Sequence, residues 1–179
     1  MLDKLYITPL QWLRILRWTL YSLLLLLALL LQTVVFGGGR TLLGVQPDLV
    51  PVVIVCVCLR EGAERGGTFA LLASLFWHLS GAEYGSVCIL VYTVVPVAGA
   101  LVCRAMLAER FVPCLLTTLV TLFVGQAAVF LLEFFFDGLA GIYFLRRLLP
   151  CVLVSLLFQP VVYLLVRRIS KIGEKNEST

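Results

Sequence analysis

Charge is scarce in this chain. Asp, Glu, Lys and Arg make up only 13% of the 179 residues, against 61% hydrophobic residues and a mean hydropathy of +1.07. Soluble domains hold roughly half apolar and a quarter charged residues, so a soluble fold is excluded at the outset. Histidine occurs once, as His78, and one imidazole does not make a metal site. The six cysteines, Cys56, Cys58, Cys88, Cys103, Cys114 and Cys151, form no Cys-x-x-Cys pair and lie in apolar stretches, where cysteine packs as a small hydrophobe. Neither a zinc site nor a disulfide framework is expected, and no cofactor. Enzyme motifs are missing as well: there is no GxGxxG after a strand, no Walker A sequence, no HExxH and no GxSxG. The expectation is a protein that is not an enzyme.

What the chain does have is long apolar runs. Hydrocarbon about 30 Å thick takes roughly 20 helical residues to cross, and lipid offers no partner for a backbone amide, so such runs must coil into helices. Six segments meet or approach that length: 19–36, 42–59, 66–80, 86–107, 111–136 and 148–166. The third is the shortest, and it can start earlier, near Glu61. The expected fold class is therefore an all-α polytopic membrane protein with six transmembrane helices in one bundle. Residues 1–18 form an N-terminal cytoplasmic or interfacial segment, 19–166 the bundle, and 167–179 a basic tail. The first run exceeds the roughly 7–15 apolar residues of a signal peptide and ends in Gly37-Gly38-Gly39-Arg40 with no small-x-small cleavage site, so it reads as a retained anchor.

The net charge of +4 comes from cations in small groups between the apolar blocks, a pattern of membrane orientation rather than nucleic-acid binding. With the N-terminus cytoplasmic, inner segments hold Lys4, Arg14, Arg17, Arg60, Arg65, Arg104, Arg110, Arg167, Arg168, Lys171 and Lys175. Outer segments hold only Arg40, Arg146 and Arg147. Eleven against three places both termini in the cytoplasm. Trp12 and Trp18 beside the first span, and Trp77 at the outer end of the third, suit interfacial tryptophan. Between Pro9 and Trp18, Leu10, Leu13 and Leu16 alternate with Gln11, Arg14 and Arg17; a surface helix and the start of one long first helix both fit. Connections are short, the longest being 37–41 and 137–147.

Polar residues inside apolar runs are the candidates for function. Glu133 reads as the acidic residue most deeply placed, and intramembrane carboxylates are functional candidates by default. Gln126 lies two helical turns before it on the same stripe, and Arg146 and Arg147 are its candidate ion-pair partners. His78 sits where a polar side chain can reach interfacial water, a partner or Glu133. The turn Arg60-Glu61-Gly62-Ala63-Glu64-Arg65 leads into Gly66, Ala70 and Ser74, a small-residue stripe that lets another helix approach closely. This stripe serves either to dock a partner's helix or to pack within the bundle. Pro96 and Pro160 are expected to kink the fourth and sixth spans.

Pro47-Asp48-Leu49-Val50, the apolar helix after it, Arg60-Glu61-Gly62, Arg65-Gly66, and Leu75-Phe76-Trp77-His78-Leu79-Ser80-Gly81 with Gly85 resemble the signature region of the rod shape-determining protein MreD family. The likeness in residue detail covers roughly 44–104, and beyond it only hydropathy and length agree. That family usually has an acidic residue where this chain has His78. The resemblance implies a multi-pass protein of the bacterial cytoplasmic membrane, without catalytic activity, that serves as a scaffold of the cell-elongation and peptidoglycan-synthesis machinery. Its implied partners are an MreC-like protein and, through it, MreB, RodA and a class B penicillin-binding protein, besides the lipid bilayer. It also implies a fold similar to the substrate-binding subunits of energy-coupling-factor transporters, so a vitamin-type transporter subunit is the alternative function. Pro47, Asp48, Arg60, Gly66, Ala70, Ser74, His78, Ser80, Gly81, Gly85 and Glu133 are the candidate partner-contacting or structural residues.

Overall fold

The structure, a computed structural model, describes residues 9–36, 45–81, 86–106, 111–137 and 141–172. Among the described residues it contains six α-helices: α1 Pro9–Leu30, α2 Leu49–Glu61, α3 Ala63–Leu79, α4 Val87–Met106, α5 Phe111–Asp137 and α6 Gly141–Ser170. A π-helical turn, Leu31–Val35, extends α1. Three of these helices carry stretches long and apolar enough to cross a membrane, Gln11–Val35, Phe111–Phe135 and Leu148–Ser170, and α4 contributes the shorter apolar stretch Val87–Cys103.

α2 is the axis of the molecule. It packs against all five other helices, which follow one another around it in the order α3, α4, α5, α6, α1. Every residue from Leu49 to Cys58 is buried, as a helix apolar on all sides requires. This explains why α2 starts later than the expected 42–59 span. Thirteen residues rise only about 20 Å, too little to cross hydrocarbon alone, but α2 is enclosed by protein, and lipid does not set its length. The non-helical backbone at 45–48 lies against other helices, where such backbone is tolerated at membrane depth.

The outer ring is inverted relative to a soluble protein. Leu23, Leu72, Leu90, Phe135, Leu153 and Leu157 are among its many large apolar side chains that face outward, while Gln32, Asp48, Thr118, Gln126, Ser155 and Gln159 are buried. That arrangement matches a lipid surrounding, in which contacts between polar groups and close packing hold helices together.

Several expectations change in detail. α1 is one continuous helix from Pro9, so the segment before Trp18 is the start of the first helix and not a separate surface helix. α6 begins at Gly141 and runs through both Pro150 and Pro160, so most of the expected 137–147 connection is helical. Trp77, expected at an interface, is only 4% exposed and packs on Tyr92 with ring centroids 5.2 Å apart. Trp12, at 60% exposed, keeps an outward place.

Two contacts gather one end of the bundle. Arg17 of α1 pairs with Glu61 at the end of α2 at 3.1 Å, and Tyr21 donates to the same carboxylate at 2.8 Å. Arg60 donates through Nε to Ser170 at the end of α6, at 2.7 Å. The start of α1, the α2–α3 turn and the end of α6 therefore share one end of the molecule.

Candidate functional site

Among the described residues the most deeply buried acid is Asp48. It is 1% exposed, whereas Glu133, the expected deep carboxylate, is only half-buried near the end of α5. The side chains of Arg146 and Arg147, its expected partners, lie outside the described residues. Gln126, on the stripe expected to face protein, points inward, and its amide donates to Asp48 Oδ2.

Asp48 is the N-cap residue of α2 but makes no capping bond with its side chain. The first turn of a helix leaves amides without intrahelical acceptors, and inside protein they must be satisfied by something else. Other helices do so here. Ser155 Oγ on α6 accepts from the Asp48 backbone amide at 2.8 Å, and Gln32 Oε1 accepts from the amides of Leu49 at 3.1 Å and Val50 at 3.4 Å. Because its oxygen is used in this way, the Gln32 Nε2 group faces Asp48 and donates to Oδ1 at 3.3 Å. The backbone thus fixes the orientation of that amide.

Gln32 occupies the π turn and is the one buried residue of that turn. Insertion of a residue into the helical ladder is typical where a side chain must be re-aimed. The carbonyl of Gln32 also accepts from Gln46 Nε2 at 2.8 Å. Cys151, read from sequence as packing only, belongs to this cluster. Its thiol lies 3.5 Å from Asp48 Oδ2 and 3.3 Å from the Gln46 carbonyl, so its single proton has an acceptor on either side. Two amide N–H groups, a thiol and the positive end of the α2 dipole therefore converge on one carboxylate, the surroundings of an anion.

Among the described residues no three His, Cys, Asp or Glu side chains group as metal ligands do. The members of the Asp48 centre come from α1, α2, α5 and α6, so it joins four helices at one depth. A second polar patch lies lower in the bundle. The Cys56 and Cys114 sulfurs stand 3.5 Å apart between α2 and α5, beside the fully buried Gln159 of α6.

The remaining candidates are dispersed. Gly66 lies against α2, where an added Cβ would sit 2.5 Å from Cys58 Cα, and the Cys58 thiol donates to the Gly66 carbonyl at 3.0 Å. Ala70 is fully buried, and Ser74 reaches Thr93 of α4 at 3.2 Å. Of the two readings of that stripe, packing within the bundle is the one its geometry takes, and the stripe is not available to a partner's helix. Pro47 is buried beside Asp48. Arg60 is at the opposite end of α2. His78, Ser80 and Gly81 close α3, with Gly81 at φ 87, and Gly85 lies outside the described residues.

Comparisons with protein families, with curated proteins and with solved structures return no match for this chain. Fold and site define its class: an all-helical protein with membrane-length apolar helices and a polar centre built on a buried aspartate.

Proposed function

We propose that this chain is a six-span membrane scaffold of the bacterial cell-elongation machinery, with both ends in the cytoplasm, as its resemblance to the MreD family implies. One observation carries the reading most: the resemblance segment Pro47-Asp48 supplies the carboxylate on which α1, α2, α5 and α6 converge. One residue behind the resemblance, Asp48, thus sits where four helices meet. The shared position of the first and last helix ends supports an even number of crossings, and the excess of cations at that end supports its cytoplasmic placement. Scaffolding is a matter of presenting a fixed surface, and a centre whose polar groups satisfy one another provides rigidity. The transporter reading is less favoured, because the polar centre is filled by its own side chains.

Affinity purification of the tagged chain from bacterial membranes, followed by identification of the co-purifying proteins, tests the proposal. Enrichment of an MreC-like single-span protein is the expected result. A preparation that brings down none of the elongation proteins, and instead retains a vitamin-sized ligand, refutes the scaffold and favours the transporter.

A further inference from the structure

The ring around α2 is continuous from α3 through α4, α5 and α6 to α1. Between α1 and α3 it parts into a groove of about 580 Å³, lined by Trp18, Leu25 and Leu26 on one wall and Phe69, Leu72 and Phe76 on the other. At its lower end the walls meet, with Trp18 and Phe69 ring centroids 6.1 Å apart.

The groove has a polar foot. Arg14 precedes Trp18 by four residues and Arg65 precedes Phe69 by four, so each cation sits one turn below a lining aromatic on the same helix face. Both arginines are exposed, and neither is ion-paired among the described residues. Behind them Arg17, held by Glu61, keeps a buried Nε–H with no acceptor among the described residues. Among the described residues Glu64 is the exposed acid at this end, one position away from Arg65. From Phe69 to its upper limit at Leu79 the groove rises about 15 Å, half the thickness of the hydrocarbon core.

We propose that this groove is a binding site for one phospholipid with an anionic headgroup, taken from the leaflet on the side of the chain ends. An acyl chain would lie between Leu25 and Leu72, and the phosphate would face Arg14, Arg65 and the Arg17 Nε–H. The depth of the groove selects this occupant: a transmembrane helix runs about 30 Å and would leave the groove halfway, whereas an acyl chain of one leaflet ends where the groove ends. The cations select the headgroup, since arginines at a membrane surface favour anionic lipid. The site depends on the membrane orientation proposed above but not on the scaffold role, and the test uses the purified chain alone, so the two can fail separately.

Native mass spectrometry of the chain released from nanodiscs of equal phosphatidylglycerol and phosphatidylcholine tests it. The expected result is one retained lipid per chain, with phosphatidylglycerol preferred by roughly tenfold. Arg14→Gln with Arg65→Gln should bring that preference close to one while leaving helical content unchanged. Ser22→Trp, which fills the groove from an exposed position, should remove the lipid in a chain that stays monodisperse. Equal retention of both lipids by the natural chain overturns the proposal, as does retention unaffected by Ser22→Trp. A photoreactive group at Leu72 that cross-links in membranes to a polypeptide instead of lipid also overturns it, by giving the groove to a partner helix.

Discussion

Asp48 carries its charge at a depth where burying an anion is costly unless every neighbour donates to it. Here the neighbours do, and one of them, Gln32, both donates to the carboxylate and caps α2. Removal of the acceptor should therefore cost more than removal of the charge. Asp48→Leu orphans the Gln32 and Gln126 amides, at about 1–3 kcal/mol for each. Asp48→Asn keeps one acceptor, and a flip of the Gln126 amide supplies an acceptor for the new NH2 group. Thermal unfolding in detergent should therefore rank the natural chain above Asp48→Asn, and Asp48→Asn well above Asp48→Leu. Equal loss in both variants would show that charge, not hydrogen bonding, holds the centre. At this scale the sequence was only partly readable. Glu133 stands in the longer apolar run, while Asp48 stands just after Pro47 within the expected 42–59 span. Nothing local reveals that residues 107 positions apart, Asp48 and Ser155, share a hydrogen bond.

Among the elements, the α2–α3 hairpin is the tightest. Gly62, with φ 88, makes the whole connection between two helices, a conformation that a Cβ disfavours. Four residues on, Gly66 touches the α2 backbone itself. Gly66→Ala would place its Cβ against Cys58 Cα and the Cys58 carbonyl, atoms that move only if the helices part. Gly67→Ala meets no more than the end of the Val97 side chain, at 3.0 Å. The first substitution should cost at least the 1–3 kcal/mol typical of overpacking, and the second distinctly less, as measured by unfolding in detergent and by yield of monodisperse protein. Similar losses at the two positions would argue against close α2–α3 contact. The small spacing of Gly66, Ala70 and Ser74 was legible as a site of close approach. Which helix approaches was not, because a stripe of small residues looks the same to an internal neighbour and to a foreign one.

For the molecule as a whole, the Arg17–Glu61 and Arg60–Ser170 contacts put the first and last helices' terminal ends together. Reporter domains fused at either end should consequently report the same compartment, and impermeant thiol labelling of a cysteine at position 40 should report the opposite one. Fusions that report different sides would remove the even-span arrangement and with it the cytoplasmic assignment. Among the described residues length and hydropathy pick out three membrane-length helices; α2, with 13 residues, is shorter than that and is enclosed by the other five.

Composition and run length by themselves determined that the long apolar runs are helical, since an amide in hydrocarbon has no acceptor but its own helix. They also determined where the cations lie. Tertiary structure alone decided which helix is central, that Gln32 rather than Asp48 itself caps α2, and that Asp48 is the buried acid. Those outcomes depend on side chains brought together from distant helices, and hydrophobic periodicity is nearly blank in a chain whose outward and inward faces are both greasy.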